Sequence, residues 1–417
     1  MTQTGDSTQG FVAPRPLEGI RVLDLTHILA GPYCTMMLGD AGAEVVKIER
    51  PGKGETARQG GPYVNNKEGQ KVSVSYLRLA RNKKNVAINL QDPRGQELFK
   101  QLVKVSDVVV ENFFPGVMKK LGLDYDVLEQ VNPAIIYATI SGYGRLERLR
   151  GPYSQRAANN TSVQAMGGIM DVTGDPDGPP NLCGVSIGDV IPGMYTAYGI
   201  ILALQTRAKT GRGQHVDISM YDCMAAINER VITNYQLTGT IVGRRGEGRP
   251  SPAGVIEAKN GHVAVAGLHS EEKWANLWKL VGREDILSDP DLSDGLKRLA
   301  KWRSYLVPIL EDWAKDKTKE EVTDLLLGLD LSVGQVQNAK DLYECEHLRA
   351  RNMIIAAEDP ALGRVEFSGN PVKMSHTPEP TPTLNHKIGA YTGEVLKSLL
   401  GLAQEQIEEL RNAGVVQ

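Results

Sequence analysis

Residues 19–54 of the chain read GIRVLDLTHILAGPYCTMMLGDAGAEVVKIERPGKG. An apolar strand is predicted at Ile20–Leu25, a helix from Gly31 and a second apolar strand at Glu44–Glu49, since Pro32 suits the first turn of a helix. This order predicts a βαβ unit, and hence a parallel sheet covered by helices. The expected fold is α/β and Rossmann-like. The first turn lacks GxGxxG, so nothing supports a nicotinamide cofactor.

The same alternation continues downstream of this unit. Further strands are predicted at Asn85–Leu90, Asp107–Glu111, Ala134–Ile140 and His215–Ser219, and helices at Asp92–Val103 and Val190–Arg207. In an open α/β sheet, ligands bind beyond the carboxyl ends of the strands. Three basic residues near strand boundaries, Lys83, Lys84 and Arg145, are therefore candidate neighbours of a phosphate on charge alone.

Changes in composition divide the chain into segments. Residues 1–15 are interpreted as a flexible tail, and residues 16–225 hold the alternation of strands and helices. Residues 226–254 are predicted to form a linker or loop, because Gly239–Gly254 is rich in Gly, Arg and Pro. Residues 255–340 contain all four tryptophans and predict a smaller α+β domain with its own core.

Charge and apolar patterning exclude several classes of function. The chain has 47 Lys+Arg against 50 Asp+Glu, which leaves no electrostatic footprint for nucleic acid or a membrane surface. The longest nearly uncharged apolar run, Val190–Leu204, is too short to span a bilayer. The polar N-terminus does not resemble a signal peptide, so a cytoplasmic protein is expected. The four cysteines lie far apart, which predicts neither a metal site nor a disulfide framework.

One carboxylate stands out within Thr173–Asp222, since Asp189 follows Gly188 and precedes an apolar helix. Most aspartates at such positions cap the helix. The free N–H groups of a first turn would also keep the carboxylate ionised, and only the anion attacks an electrophile. Gly184 and Gly188 would leave room for that electrophile. On spacing alone, a helix cap and a nucleophile both remain open.

Several motifs together carry a family resemblance over nearly the whole chain. They are PLEGIRVLDLTHILAGPYCTMMLGDAGAEVVKIERPGKGE, NKKNVAINL, DVVVENFFPG, QAMGGIM, GDVIPGMYTAYGIILAL, TGRGQHVDISMYD and the tail EVLKSLLGL…LRNAGVV. With these motifs the sequence resembles the class III CoA-transferases, which include formyl-CoA:oxalate and carnitine CoA-transferases and have α-methylacyl-CoA racemase as a relative.

The resemblance implies an architecture and a mechanism. It implies an interlocked homodimer of two-domain subunits, in which residues 341–417 return to the large domain. Asp189 would be the nucleophile, forming first a mixed anhydride with the acyl group and then an aspartyl-CoA thioester. CoA and acyl-CoA enter as substrates, and neither a metal nor a permanently bound cofactor is implied.

Candidate contacts follow from the matching positions. The resemblance assigns CoA contacts to Ile28, Arg50, Asn112, Phe113 and Lys120, while Lys83, Lys84 and Arg145 rest on charge. Candidate substrate neighbours are Leu29, Asn159, Asn160, Gln164 and Gly188. Leu29 stands where the oxalate enzyme has glutamine, which argues against oxalate. Arg244, Arg245 and Arg249 are candidates for pairing with the free carboxylate of a dicarboxylate.

Two other functions compete with CoA transfer. The racemase relatives resemble GPYxxRAGHD, whereas this chain reads GPYSQRAANN and so has Asn159 and Asn160 in place of the acid–base pair. An amide cannot accept the proton that racemisation moves. The second competitor is a silent CoA-binding subunit of a hetero-assembly with a related chain. The leading interpretation is CoA transfer from an acyl-CoA such as succinyl-CoA to a carboxylic acid, with a malate-like or citramalate-like dicarboxylate as acceptor.

Overall fold

The structure is a computed structural model that describes residues 12–244 and 252–417. Its strands are β1 (Arg21–Asp24), β2 (Glu44–Glu49), β3 (Tyr63–Asn65), β4 (Lys71–Ser73), β5 (Lys83–Ala87), β6 (Val108–Glu111), β7 (Ile136–Ser141), β8 (His215–Ser219), β9 (Gly254–Ala258), β10 (Gly261–Ala266), β11 (Ser332–Gln335), β12 (Ile354–Asp359) and β13 (Gly363–Ser368). The helices up to residue 238 are α1 (Ala30–Asp40), α2 (Val74–Leu77), α3 (Pro93–Lys104), α4 (Val117–Lys120), α5 (Tyr125–Val131), α6 (Asn160–Met166), α7 (Ile187–Thr210), α8 (Met220–Ile227) and α9 (Glu229–Thr238). The later helices are α10 (Glu271–Val281), α11 (Gly295–Lys301), α12 (Val307–Ala314), α13 (Lys319–Leu327), α14 (Ala339–Glu344), α15 (Glu346–Ala350), α16 (Thr392–Leu400) and α17 (Gln404–Asn412).

Six strands form one parallel sheet in the order β5-β2-β1-β6-β7-β8. In order of appearance these strands are arranged 3-2-1-4-5-6, which is the Rossmann order. The predicted α/β fold with a parallel sheet is confirmed. The strand predicted at Asn85–Leu90 begins earlier, at Lys83, because a buried lysine at that position does not follow the apolar pattern from which strands are predicted.

Both faces of this sheet are covered by helices. Leu23, Val46 and Val109 point into a core shared with α3, α5, α16 and α17. Val22 and Val108 point into a second core shared with α1 and α7. Central strands covered on both faces are expected to be largely apolar, and the charged residues of β1 and β6 lie only at the strand ends. The covering leaves the carboxyl ends of the strands as the place where polar side chains gather.

The chain divides into two compact units. The first comprises residues up to Gly174, Pro179–Thr233 and Ala350–Gln417, and it contains the six-stranded sheet. The second comprises Asp175–Gly178 and Asn234–Arg349. It has an antiparallel sheet in the order β11-β10-β9, packed around the buried side chains of Trp274, Trp278 and Trp302. The predicted linker 226–254 contains a helix, α9. Residues 245–251 of this linker lie outside the described residues.

Helix α7 is the longest helix of the described chain, with 24 residues from Ile187 to Thr210. It starts ahead of the predicted Val190 and ends at Thr210, and the following Gly211, with a φ of 70°, is its C-cap. Its length and apolarity would suffice to cross a membrane. Here it packs against α1, β7 and β8, with Thr196 and Ile200 fully buried. One side of α7 therefore belongs to the core of the first unit.

Candidate active site

A cavity of about 390 Å³ opens at the carboxyl ends of β1, β6 and β7, and we call it the central cavity. Asp189 lines it from the start of α7. Seven other residues predicted from the sequence line the same cavity, namely Ile28, Leu29, Asn112, Phe113, Arg145, Asn159 and Asn160. The structure therefore brings together residues that are spread over 161 positions of the chain because the sheet order makes their strand ends neighbours.

Asp189 lies inside the first turn of α7, after the N-cap residue Ser186, and is not itself the cap. Its side chain is half-buried, and no residue of the described chain donates a hydrogen bond to its carboxylate. Burial raises the pKa of Asp189 to about 6, and the charge of Arg78 acts in the opposite direction. This differs from the expected fully ionised carboxylate. The group is still largely ionised at pH 7, and poor solvation makes its anion a better nucleophile.

Asn160 holds the start of α7 from a distant part of the chain. Its Oδ1 accepts hydrogen bonds from the backbone N–H of Gly188 at 3.0 Å and from Nε2 of Gln164 at 2.8 Å. Gln164 is fully buried, and its Oε1 accepts from the N–H of Cys183 at 3.1 Å. Both side chains were predicted to face the substrate. The structure uses their polar atoms to fix the loop and helix that present Asp189.

Gly188 and Asn159 also have structural roles at the start of α7 and of α6. A Cβ at position 188 would lie 2.8 Å from Val163 and 2.9 Å from Asn160, so only glycine allows α7 to approach α6 this closely. Asn159 caps α6, since its Oδ1 accepts from the N–H of Ser162 at 2.9 Å. The cap leaves Asn159 at the cavity wall with its carbonyl oxygen occupied.

The turn after β1 carries a strained residue. Ile28 has a φ of 71°, a left-handed conformation that β-branched residues rarely adopt, and its side chain is 58% exposed. Asn112 clamps the preceding residue, accepting from the N–H of His27 at 2.8 Å and donating to its carbonyl at 2.9 Å. The N–H of Ile28 donates to the buried Glu55 at 3.1 Å. These contacts hold the exposed side chain of Ile28 at the mouth of the cavity.

Lys83 lies in the core and not at the cavity. Its Nζ donates to Asp24 at 3.1 Å, to the carbonyl of Pro32 at 2.9 Å and to the hydroxyl of Thr35 at 2.8 Å. Lys47 completes this cluster, 3.2 Å from Asp24. Two lysines beside one carboxylate hold the pKa of Asp24 low in spite of its burial, which by itself raises that pKa. The structure gives Lys83 this buried role in place of the phosphate contact predicted from its charge.

Arg145 lines the central cavity but is already paired. Its Nη1 donates to Glu111 at 2.7 Å, and its Nη2 donates to the carbonyl of Phe113. Glu111 also accepts from the N–H of Phe113 at 2.8 Å. Burial raises the pKa of Glu111 to about 7, against the lowering effect of Arg145. Arg145 therefore fixes the turn after β6, and its charge toward a ligand is reduced by Glu111.

A second cavity, of about 410 Å³, lies at the ends of β1, β2 and β5, and we call it the Arg50 cavity. His27 and Phe113 line both this cavity and the central one, so the two are neighbours. Arg50 and Lys53 line it with exposed side chains that form no ion pair within the described chain. Lys53 was missed by the sequence reasoning, although its place in PGKG after a strand end was a usable signal.

The remaining basic candidates lie elsewhere. Lys84 pairs with Glu44 at 3.1 Å and with Glu394 at 2.9 Å. Lys120 is exposed at the end of α4 and lines neither the central cavity nor the Arg50 cavity. Arg244 belongs to the second unit, and Arg245 and Arg249 lie outside the described residues. The described residues contain no group of three or more His, Cys, Asp or Glu placed to hold a metal ion.

Comparison with known proteins gives a consistent result. The sequence profile of CoA-transferase family III matches residues 17–390. The chain is 34% identical over 405 residues to a succinyl-CoA–D-citramalate CoA-transferase from Chloroflexus aurantiacus, covering 97% of this chain and 98% of the relative. It is 33% identical over 412 residues to the beta subunit of a succinyl-CoA–L-malate CoA-transferase of that organism, covering 98% and 100%. A crystal structure of a CAIB/BAIF family protein from Brucella suis is 31% identical with a TM-score of 0.83, covering 92% of this chain and 99% of that chain.

Proposed function

The chain belongs to CoA-transferase family III, and on that premise we propose that it transfers CoA from succinyl-CoA to a dicarboxylic acid by way of covalent intermediates on Asp189. The observation that carries this proposal is the half-buried carboxylate of Asp189, which lines the central cavity without a hydrogen-bond donor from the described chain. A capping or ion-paired aspartate would have such a partner. An unpaired one is available to a substrate.

The proposed reaction uses no group beyond this carboxylate. The Asp189 anion attacks the thioester carbonyl of succinyl-CoA, the C–S bond breaks, and CoA leaves as the thiolate. The thiolate then attacks the aspartyl carbonyl of the mixed anhydride, which releases succinate and forms an aspartyl-CoA thioester. The acceptor carboxylate attacks that thioester, and the displaced thiolate attacks the acceptor carbonyl of the new anhydride. The product acyl-CoA leaves, and the Asp189 carboxylate is restored.

CoA is proposed to lie across the two neighbouring cavities. Arg50 and Lys53 are the unpaired cations that suit its phosphates. The rings of His27 and Phe113 are in contact, with centroids 5.0 Å apart, and form a wall shared by both cavities, so the pantetheine arm would pass over them into the central cavity. Asp189 would meet the thioester there. The exposed Ile28 stands beside this route and suits contact with the arm of CoA.

The acceptor is proposed to be a dicarboxylic acid such as malate or citramalate. Support comes from the names of the two relatives above, which combine succinyl-CoA with D-citramalate or L-malate. The racemase alternative finds no support in the cavity. Asn160 binds the start of α7 and Asn159 caps α6, so neither amide is free to serve as an acid–base group.

The active protein is proposed to be an interlocked homodimer. Helix α7 exposes a stripe of apolar side chains along one side, formed by Met194, Tyr195, Tyr198, Ile201 and Leu202. An exposed apolar stripe of this size is typical of a surface that another chain covers. A second copy of the chain is the proposed occupant, and a related subunit is the alternative suggested by the malate enzyme, whose beta subunit is a relative.

Replacement of Asp189 tests the proposed function. Both Asp189→Ala and Asp189→Asn should lower CoA transfer from succinyl-CoA to malate or citramalate by at least about 10⁴-fold, because neither side chain forms an anhydride. The affinity of both variants for CoA, measured by calorimetry, should stay at the wild-type value. Asp126→Ala is the matched control, since Asp126 is an exposed acid in the first turn of α5. A near wild-type rate in either Asp189 variant would overturn the proposal.

A further inference from the structure

A third cavity lies on the other side of Leu29 from the central cavity, and we call it the Arg78 cavity. Its volume is about 930 Å³. Leu29 lines both cavities, and Ser186 and Val190, on either side of Asp189 in sequence, line this one. The nucleophile therefore stands at the point where the two cavities meet. A substrate bound to Asp189 has two directions to extend, one toward CoA and one toward this cavity.

Three arginines line the Arg78 cavity, and only one is unpaired within the described chain. Arg81 is bound to Asp40 at 2.7 Å and is buried. Arg364 is bound to Glu366 at 2.9 Å. Arg78 follows α2, is exposed, and donates a single hydrogen bond, from Nε to the carbonyl of Ser75 at 3.3 Å. Its two terminal nitrogens are free to bind a carboxylate in the bidentate manner that guanidinium favours.

Arg78 is also the cation that acts on Asp189. Its positive charge lowers the pKa of Asp189, against the effect of burial, which raises it. Apolar side chains, among them Leu29, Tyr33, Met36, Val190 and Met194, make up much of the lining of the Arg78 cavity. An apolar lining that carries one unpaired guanidinium, and that adjoins Asp189 through Ser186 and Val190, matches the chemistry of a dicarboxylate, which has a short carbon chain between two charged ends.

We propose that Arg78 binds the distal carboxylate of the dicarboxylic substrates and so determines their class. The inference rests on the proposed function and extends it. Since one nucleophile serves both half-reactions, the succinyl group and the acceptor acid occupy the same place in turn. One arginine then binds the distal carboxylate of each. A monocarboxylic acid of the same length would leave Arg78 unpaired and would gain nothing from it.

The sharpest test measures the rate at which each labelled acid exchanges into its own acyl-CoA. Exchange of labelled succinate into succinyl-CoA and of labelled butyrate into butyryl-CoA involve the same bonds and differ in the distal carboxylate. In Arg78→Met, kcat/KM for succinate exchange should fall about 10- to 100-fold, as expected for loss of a charged hydrogen bond. Butyrate exchange should stay at the wild-type rate, and Arg78→Lys should recover part of the succinate rate.

Arg364→Met is the matched control, because Arg364 lines the same cavity but is paired with Glu366. It should leave the ratio of succinate to butyrate exchange unchanged. An Arg78→Met protein that binds CoA normally but keeps that ratio would overturn the inference, whether both rates fall or neither does. Failure of the proposed function looks different. Wild-type protein would then exchange neither acid, or Asp189→Ala would exchange both, and the inference would fall with it.

Discussion

At the scale of single residues, the proposed chemistry depends on the weak stabilisation that the protein gives to the Asp189 carboxylate. The carboxylate lies in the first turn of a helix but accepts no hydrogen bond from a side chain of the described residues. Burial raises its pKa to about 6. An anion that water and protein solvate poorly is costly in the resting enzyme and reactive toward a thioester. The same feature makes a test by pH possible.

We expect kcat/KM to fall as pH falls through about 6. The pKa of Asp189 is raised, so its reactive anion is present above pH 6 and is lost below it, roughly tenfold per pH unit. Glu111 titrates nearby, at about 7, and is the obvious confounding group. A pH profile of Glu111→Gln separates the two. In this variant kcat/KM should still fall as pH falls through about 6. If the fall disappears, the titrating group is Glu111 and not Asp189.

The sequence carried no usable signal for the places that two residues take in the structure. Arg78 is one exposed arginine among many, and only the fold shows that it is unpaired and beside Asp189. Lys83 belongs to a motif with Lys84 and was expected to face a phosphate, yet it is buried against Asp24. Charge and spacing do not tell which lysine of a pair points inward. That depends on a carboxylate 59 positions earlier in the chain.

At the scale of elements, the strands were predictable and the start of α7 was not. Apolar runs of four to six residues placed β1, β2, β6 and β8 within a residue or two, and β2 and β8 at their bounds. Strands β1, β2 and β6 are largely buried on both faces and so leave an apolar pattern, whereas β8, at the edge of the sheet, is mostly half-buried. Helix α7 begins at Ile187 because Asn160, 28 positions away, accepts the hydrogen bond of Gly188. Local reasoning left a helix cap and a nucleophile both open for Asp189, and it could not find this distant acceptor.

Asn160 should therefore matter for both stability and rate. Asn160→Ala leaves the N–H of Gly188 without its acceptor, and it leaves the amide of Gln164 with only the carbonyl of Val185 at 3.4 Å. We expect the free energy of unfolding to fall by about 1–3 kcal/mol, with a clear loss of kcat because Asp189 is no longer held in place. Denaturant unfolding and steady-state kinetics measure the two effects.

Asn132→Ala provides the comparison for Asn160. Its amide donates to the carbonyls of Val103 and Ser106, away from the cavities. This variant should lose stability to a similar extent and keep its kcat. Equal losses of kcat in the two variants would show that Asn160 acts only through general stability.

At the scale of the whole molecule, the resemblance to a family supplied expectations about function that periodicity and charge could not supply. The Rossmann-like sheet followed from apolar periodicity, and the exclusion of nucleic acid followed from charge. The role of Asp189 and the class of substrate came from motifs whose physical meaning lies in another molecule, CoA. The exposed stripe on α7 is of the same kind, because the explanation that we propose for it is a second chain.

The oligomeric state tests that explanation. Light scattering should give about twice the chain mass of 45.4 kDa for the purified protein. Tyr198→Asp, which places a charge in the middle of the apolar stripe, should shift the mass toward the monomer, whereas Asp126→Ala should not. An active wild-type monomer would contradict the homodimer, and a monomer that gains activity only with a related chain would support the hetero-assembly.

The central claim, a covalent path through Asp189, is tested most directly by mass spectrometry of the protein incubated with succinyl-CoA without acceptor. Rapid acid quenching and proteolysis should show the peptide containing Asp189 heavier by the mass of CoA less one water, and acceptor acid should remove this adduct. The adduct should be absent from Asp189→Asn. Turnover without any adduct on this peptide, or an adduct on another carboxylate, would contradict the account.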